Sequence, residues 1–309
     1  MACLKCQHGT ARRFGTYGRL RIQRFRCKTC RATFNYTAVQ RRILQYCSAG
    51  FLFLLTPIAA FPQSATAASP VELAKKRVAP VVCLVRDADT GSQWIRFRII
   101  GTSFMVDEKG MFITATHVIT DMLTSPLKDV CKPAITFPVG GWRRDPQQGV
   151  KWFSFDAGAC QVNVGIDVAV CRTTNDMSKE QEVSYEVVKI STEKPQDGTA
   201  VFFTGFPLQA TDPITSTGSI AGYPADNSYS IVIVDKSAWP GASGSPIYLS
   251  DGKTLIGMVT KMGTGDASGL SFGIAGERIS EVLANAKTHW EEEQKKAREK
   301  PQTPTQSPN

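Results

Sequence analysis

Three residues spaced along the chain could together activate a hydroxyl. His117 stands in MFITATHVIT, where an apolar strand runs out into small residues and then an imidazole. Fifty residues on, Asp167 appears in VGIDVAVC, directly before another apolar strand. Seventy-six residues further, Ser243 sits in WPGASGSPIY with Gly241, Ala242 and Gly244 around it. A serine hydroxyl is a weak nucleophile at neutral pH. It needs a base to take its proton and an acid to orient that base. Each residue alone has an ordinary explanation: a structural histidine at a strand end, a turn-capping aspartate, a serine in a tight turn. Their order is what sets them apart, because His, then Asp, then Ser is one of the orders in which such triads recur.

A second set of chemical groups lies at the N-terminus. CLKC and CKTC place Cys3, Cys6, Cys27 and Cys30 in two C-x-x-C knuckles with twenty residues between them. Four thiolates at this spacing complete a closed tetrahedral zinc site. In so short a segment, metal binding would supply the folding free energy. Two disulfides are the alternative, and His8 could substitute as a ligand.

Charge separates this segment from the rest. The net charge is +9, yet residues 1–46 hold eleven of the 36 Lys and Arg and no acid. Downstream remain 36 − 11 = 25 bases against 27 acids, so the basic character is local. Arg12, Arg13, Arg19, Arg21, Arg24, Arg26 and Arg31 alternate with Phe14, Tyr17, Phe25 and Phe34. That pattern suits a phosphate-binding surface, and equally a solvated face around a structural metal. The segment resembles the N-terminal zinc ribbon of insertion-sequence transposases. The resemblance implies contact with nucleic acid, although no transposase catalytic region follows.

From Ile43 to Val71 there is no charged residue. Arg41 and Arg42 precede the apolar run CSAGFLFLLTPIAAF, and a small-residue A-x-A site follows at Ala65–Ala67. Basic flank, apolar run and small-residue site make a secretory signal peptide, or a membrane anchor over residues 43–61 if it is not cleaved. The charge order leaves the N-terminal side in the cytoplasm and sends the remainder outside it, to a bacterial periplasm or the medium. The expected divisions are a zinc ribbon over 1–42, the apolar segment over 43–69, a main domain over 76–300 and a disordered tail over 301–309.

The elements that must position the triad are strands. VVCLV, WIRFRIIGTSFMV, MFITAT, AITFPV, DVAVC, TAVFFTGF, YSIVIV and TLIGMVT are rich in β-branched and aromatic residues, with Gly, Pro, Asp and Asn between them. About a dozen such strands without long intervening helices argue for an all-β barrel or sandwich. Ile279, Val282, Leu283, Ala286 and Trp290 recur at helical spacing and predict a closing helix with one buried face, with His289 left exposed. Cys160 and Cys171 flank VNVGIDVAV and could face each other across a hairpin. Cys83 and Cys131 would form the other pair, which an oxidising compartment favours; four buried thiols are the alternative.

T-A-x-H, then D-V-A-V, then G-x-S-G-S-P resembles the trypsin-like (chymotrypsin-fold) serine peptidases, in particular bacterial HtrA-type and glutamyl endopeptidase members. GTSFMV, TGFP followed by STGSI, LIGMV and SFGIA agree, so the resemblance covers roughly residues 78–290. It implies two six-stranded β-barrels with a C-terminal helix, and a triad of His117, Asp167 and Ser243. It also implies an oxyanion hole from the backbone N–H groups of Gly241 and Ser243. The specificity pocket falls at Ser237, Thr260, Lys261, Gly263, Ser271 and Gly273, with substrate added as a strand along residues 260–262. Ser237 at the pocket base is not acidic, which argues against a preference for Arg or Lys; Lys261 would be compatible with an acidic residue. Ala242 replaces the acid that pairs with a newly cut N-terminus in animal digestive members, so no such activation is expected.

These residues point to a serine endopeptidase acting outside the cytoplasm on proteins or peptides, with zinc as a structural ion and no catalytic cofactor. The competing readings are a nucleic-acid-binding regulator built on the ribbon and a pseudoprotease that only binds peptides.

Overall fold

A computed structural model describes residues 11–17, 22–27, 33–35, 68–86, 95–124, 130–142, 149–224 and 230–299. The chain forms two compact units, Met1–Thr66 and Ala67–Asn309. In the first, β1 (Ala11–Tyr17), β2 (Ile22–Cys27) and β3 (Thr33–Asn35) make a three-stranded antiparallel sheet in the order β1-β2-β3. Arg12 faces Arg26 and Arg13 faces Phe25 in its register. Cys27 ends β2; the expected zinc ligands Cys3, Cys6 and Cys30 lie outside the described residues, as do the apolar segment 43–61 and the tail 301–309.

The second unit begins with helix α1 (Pro70–Lys75), capped by Ser69, whose hydroxyl accepts from Glu72 N. Two sheets follow. The first contains β4 (Val78–Arg86), β5 (Ile95–Met105), β6 (Met111–Thr114), β7 (Cys131–Pro138), β8 (Val150–Ser154), β9 (Gln161–Asn163) and β10 (Val168–Arg172), in the order β8-β7-β4-β5-β6-β10-β9. Helix α2 (Thr116–Leu123) follows β6 directly. This sheet meets itself through one isolated bridge, Phe155 to Thr173.

The second contains β11 (Lys189–Ile190), β12 (Ala200–Gly205), β13 (Ile214–Gly222), β14 (Ile231–Val234), β15 (Pro246–Leu249), β16 (Thr254–Met262) and β17 (Ser271–Ala275). Pairing of β16 with β17 closes β16-β15-β12-β13-β14-β17 into a six-stranded barrel, and β11 adds a parallel edge. The fold is therefore the expected all-β double barrel, with seven strands in the first sheet and a barrel closed by a full strand pairing, β16 with β17, in the second.

Side-chain alternation decides which face each strand buries. Val201 and Phe203 of β12 enter the second barrel beside Val232, Val234, Ile247 and Val259. Phe202 points the other way, with its ring 5.6 Å from that of Tyr248. Phe202 and Tyr248 belong to the larger core, which runs through Phe104, Phe112, Ile113 and Val168–Val170 and so joins the two barrels. Helix α3 (Gly276–Glu299) closes the unit, burying Ile279, Val282, Ala286 and Trp290 on one face. Trp290 also carries the Arg172 guanidinium, 4.1 Å from its ring centre. His289 is exposed and faces Glu293 at 3.3 Å. Among the described residues, no helix is long and apolar enough to cross a membrane.

Both downstream cysteine pairs are disulfides, and both lie in the first sheet. Cys83–Cys131 ties β4 to β7, with Cα atoms 5.1 Å apart. Cys160–Cys171 closes the hairpin of β9 and β10, with Cα atoms 4.5 Å apart.

Candidate active site

His117 is the second residue of α2, where the strand-end expectation gives way to a helix start. A helix leaves its first N–H groups without intrahelical partners. Ala115 at the N-cap has no side chain to accept them. Asp167 takes that place from the neighbouring hairpin. Its carbonyl accepts from Thr116 N at 3.2 Å, and its Oδ1 accepts from His117 N at 3.0 Å. Its Oδ2 lies 2.8 Å from His117 Nδ1. A carboxylate accepts, so in the neutral ring this contact favours the tautomer with the proton on Nδ1 and the lone pair on Nε2.

Asp167 achieves this from a left-handed backbone, φ 58°, in the turn between β9 and β10. Such a conformation is uncommon outside glycine, and aspartate tolerates it better than most residues. Asn163 braces the turn: its side chain accepts from Ile166 N and its carbonyl from the Thr116 hydroxyl. The Cys160–Cys171 disulfide ties the two strands that present Asp167.

Ser243 comes from the second barrel, in the turn between β14 and β15. That turn consumes most of its own N–H groups. Ala242 N donates to Trp239 O, Gly244 N to Val259 O and Ser245 N to Ala242 O. Gly241 N and Ser243 N have no hydrogen-bond partner among the described residues. Two unspent donors beside a serine can receive a developing negative charge.

The turn packs through bare backbone, on one side against the segment after β12 and on the other against β5 of the first sheet. A Cβ on Gly241 would stand 2.4 Å from Phe206 O, and one on Gly244 would stand 1.9 Å from Thr102 O. Both glycines also have positive φ, 93° and 89°. The Ser243 hydroxyl donates to Thr260 O at 3.5 Å and makes no hydrogen bond to His117. The imidazole side chain is 41% exposed and the carboxylate 18%, so the ring faces solvent while the carboxylate is sheltered.

Of the other residues expected at the pocket, Thr260 touches the serine turn, its carbonyl accepting from the Ser243 hydroxyl. Thr260 is the extra residue of a bulge in β16, buried, with its hydroxyl 3.4 Å from Phe272 O. Lys261 beside it is exposed. The Ser237 hydroxyl donates to Ser268 O at 2.8 Å. Gly263 N donates to Leu270 O, and the glycine is pressed against the Ala267 carbonyl. Ser271 is buried with no partner for its hydroxyl among the described residues. Gly273 faces Met258 O and Ile247 Cδ1, so it lines the barrel interior and forms no open wall.

The sequence singled out His117, Asp167 and Ser243 but not Thr102, whose hydroxyl bonds to Gly241 O of the serine turn, nor Gln209, whose amide bonds to both backbone groups of Ile99. A threonine in a strand and a glutamine in a loop give no chemical signal at sequence level. No group of His, Cys, Asp or Glu among the described residues could hold a metal ion.

No curated protein matches the chain. Among solved structures it is similar to the crystal structure of Deg5, at 16% identity and a TM-score of 0.48, over 69% of this chain and 89% of that one. The trypsin-like peptidase domain matches residues 101–258, just over half of the chain, a stretch that contains His117, Asp167 and Ser243. The chain belongs to the trypsin-like peptidase family and is a serine endopeptidase.

Proposed function

We propose that the protein hydrolyses peptide bonds through an acyl-enzyme on Ser243. His117 Nε2 takes the hydroxyl proton as Oγ attacks the substrate carbonyl carbon, and returns it to the leaving amine. Asp167 holds the ring in the required tautomer and stabilises the imidazolium. The N–H groups of Gly241 and Ser243 receive the tetrahedral oxyanion. Water, activated by the same imidazole, then releases the acyl group. The resting Ser243 hydroxyl turns from Thr260 O to His117 Nε2 when substrate binds, and rotation about χ1 moves no backbone. Ser237, Thr260, Lys261, Gly263 and Ser271 surround the residue before the cut. Gly273 supports that region from inside the barrel.

The single observation carrying this reading is the 2.8 Å contact of Asp167 with His117 Nδ1, which leaves Nε2 basic. A peptide-binding pseudoprotease would have no need of that tautomer. The test is hydrolysis of an unfolded protein substrate by the full chain beside His117→Ala. Turnover by the wild type alone is expected; equal turnover by both would defeat the assignment.

The two disulfides support action outside the cytoplasm, in the periplasm or medium. With the apolar segment ahead of them, they favour export, or anchoring in a membrane through residues 43–61. Four cysteines in two knuckles suit one structural zinc ion, held by Cys3, Cys6, Cys27 and Cys30. The arginines of β1 and β2 make nucleic acid the partner to test at that sheet.

A further inference from the structure

We propose that Thr102 and Gln209 are positioning residues that hold the oxyanion-binding peptide in its working orientation; the inference rests on the protease reading above. Gly241 supplies one of the two unspent N–H groups, from the peptide it shares with Pro240. Glycine permits peptide rotation that a side chain would block. Rotation of this peptide would put a carbonyl where the reaction needs a donor, so something else must fix it.

Two separate contacts do so. Leu208 N donates to Pro240 O at 2.7 Å. In a trans peptide the N–H points opposite to the carbonyl, so this bond aims Gly241 N–H away from the 207–209 turn. On the other side, the Thr102 hydroxyl donates to Gly241 O at 2.8 Å. The carbonyls on both sides of Gly241 are therefore fixed.

Each anchor is itself held. Thr102 is fully buried in β5, and its hydroxyl oxygen accepts from Phe206 N at 3.0 Å. Its single proton is committed to Gly241. Its backbone N–H donates to Ser243 O at 2.8 Å, so one residue grips the nucleophile turn at two points. Leu208 and Gln209 have φ of 55° and 62°, a left-handed pair that costs free energy for non-glycine residues. The Gln209 amide offsets that cost by pairing with both backbone groups of Ile99, accepting from N at 2.9 Å and donating to O at 2.6 Å. The route from β5 through Gln209 and Leu208 to Pro240 crosses from the first sheet to the second.

The experiment is steady-state hydrolysis of one peptide substrate by the full chain, its Thr102→Val, Thr102→Ser and Gln209→Ala variants. The oxyanion forms only in the transition state, so its loss lowers kcat and spares KM. Thr102→Val keeps shape and N–H and removes only the hydroxyl. It is expected to lower kcat by roughly tenfold to a hundredfold, a part of the 10²–10³ lost with a whole donor. KM should change by less than about threefold, and Thr102→Ser should restore most of kcat. Gln209→Ala, on an exposed turn, gives a test that does not depend on the core folding and should lower kcat by roughly threefold to tenfold. A folded Thr102→Val or Gln209→Ala enzyme with wild-type kcat, or one altered only in KM or melting temperature, would overturn the proposal alone. A folded wild type with no turnover would overturn the protease reading and the proposal together.

Discussion

The first sheet carries both disulfides of the larger unit and the second barrel carries none. Their edges differ in the same sense. The first meets itself at the single bridge Phe155 to Thr173, whereas β16 and β17 of the second pair at five positions from Gly257–Ala275 to Met262–Ser271. Where hydrogen bonds complete a barrel, its edges are removed and the strands hold each other. In the first sheet each disulfide reinforces strands that already pair, β4 with β7 and β9 with β10. The two halves divide the chemistry along this line. The first presents His117 and Asp167, already bonded to each other. The second presents Ser243 and the N–H groups of Gly241 and Ser243, in a turn held by its own bonds to Trp239, Val259 and Leu208 and by two that cross to Thr102.

Breaking the first half should have the largest effect. Asp167→Asn keeps size but offers an N–H to His117 and favours the wrong tautomer, so kcat should fall about 10³–10⁴-fold with little change in KM. Steady-state kinetics at neutral pH read this directly. In the second half, Gly241→Ala forces a Cβ toward Phe206 O at a positive φ. The donor should be displaced and kcat reduced about 10²–10³-fold. Retention of activity would mean that Gly241 N–H is not used.

Stability separates the halves next. The Cys83–Cys131 bridge spans 48 residues and the Cys160–Cys171 bridge 11. Loop entropy alone gives losses of about 4 and about 3 kcal/mol for Cys→Ser pairs, the first equivalent to about 10 °C in melting temperature. Only the second pair should also lower kcat, because it ties the hairpin bearing Asp167. Thermal melts and kinetics on the same samples distinguish the two.

The smallest effect lies in the crossing between the halves. Tyr185 stacks on Phe137, and burial, with the nearby Asp107 and Glu108 carboxylates, pushes its phenol up to about 12. The folded state thus keeps a proton that an unfolded tyrosine loses near pH 10. Its contribution is fully present below pH 10 and lost as pH rises toward 12. Tyr185→Phe should make alkaline destabilisation shallower across that window, as followed by denaturant titration at several pH values.

Much of this was legible because the responsible forces are local. Alternating apolar runs identified the strands, and 3.6-residue spacing identified the buried face of α3. The flanking of Asp167 by Cys160 and Cys171 anticipated the stapled hairpin. His117 was misread as a strand end because its helix has no capping side chain; the cap arrives from Asp167, fifty residues away. Gly273 read as a pocket wall, since sequence does not tell which face of β17 is open. Thr102 was invisible as a positioning group because its partner Gly241 lies 139 residues away. The same holds for Gln209 and Ile99, 110 residues apart. Such contacts are set by how two sheets pack, and no period in the sequence encodes them.

The central claim is that Ser243 is an activated nucleophile. Intact mass of the full chain after fluorophosphonate treatment, beside Ser243→Ala, tests it most directly. One adduct on the wild type and none on the variant is the predicted result. A folded wild type that stays unmodified, or a variant labelled to the same extent, would contradict the account.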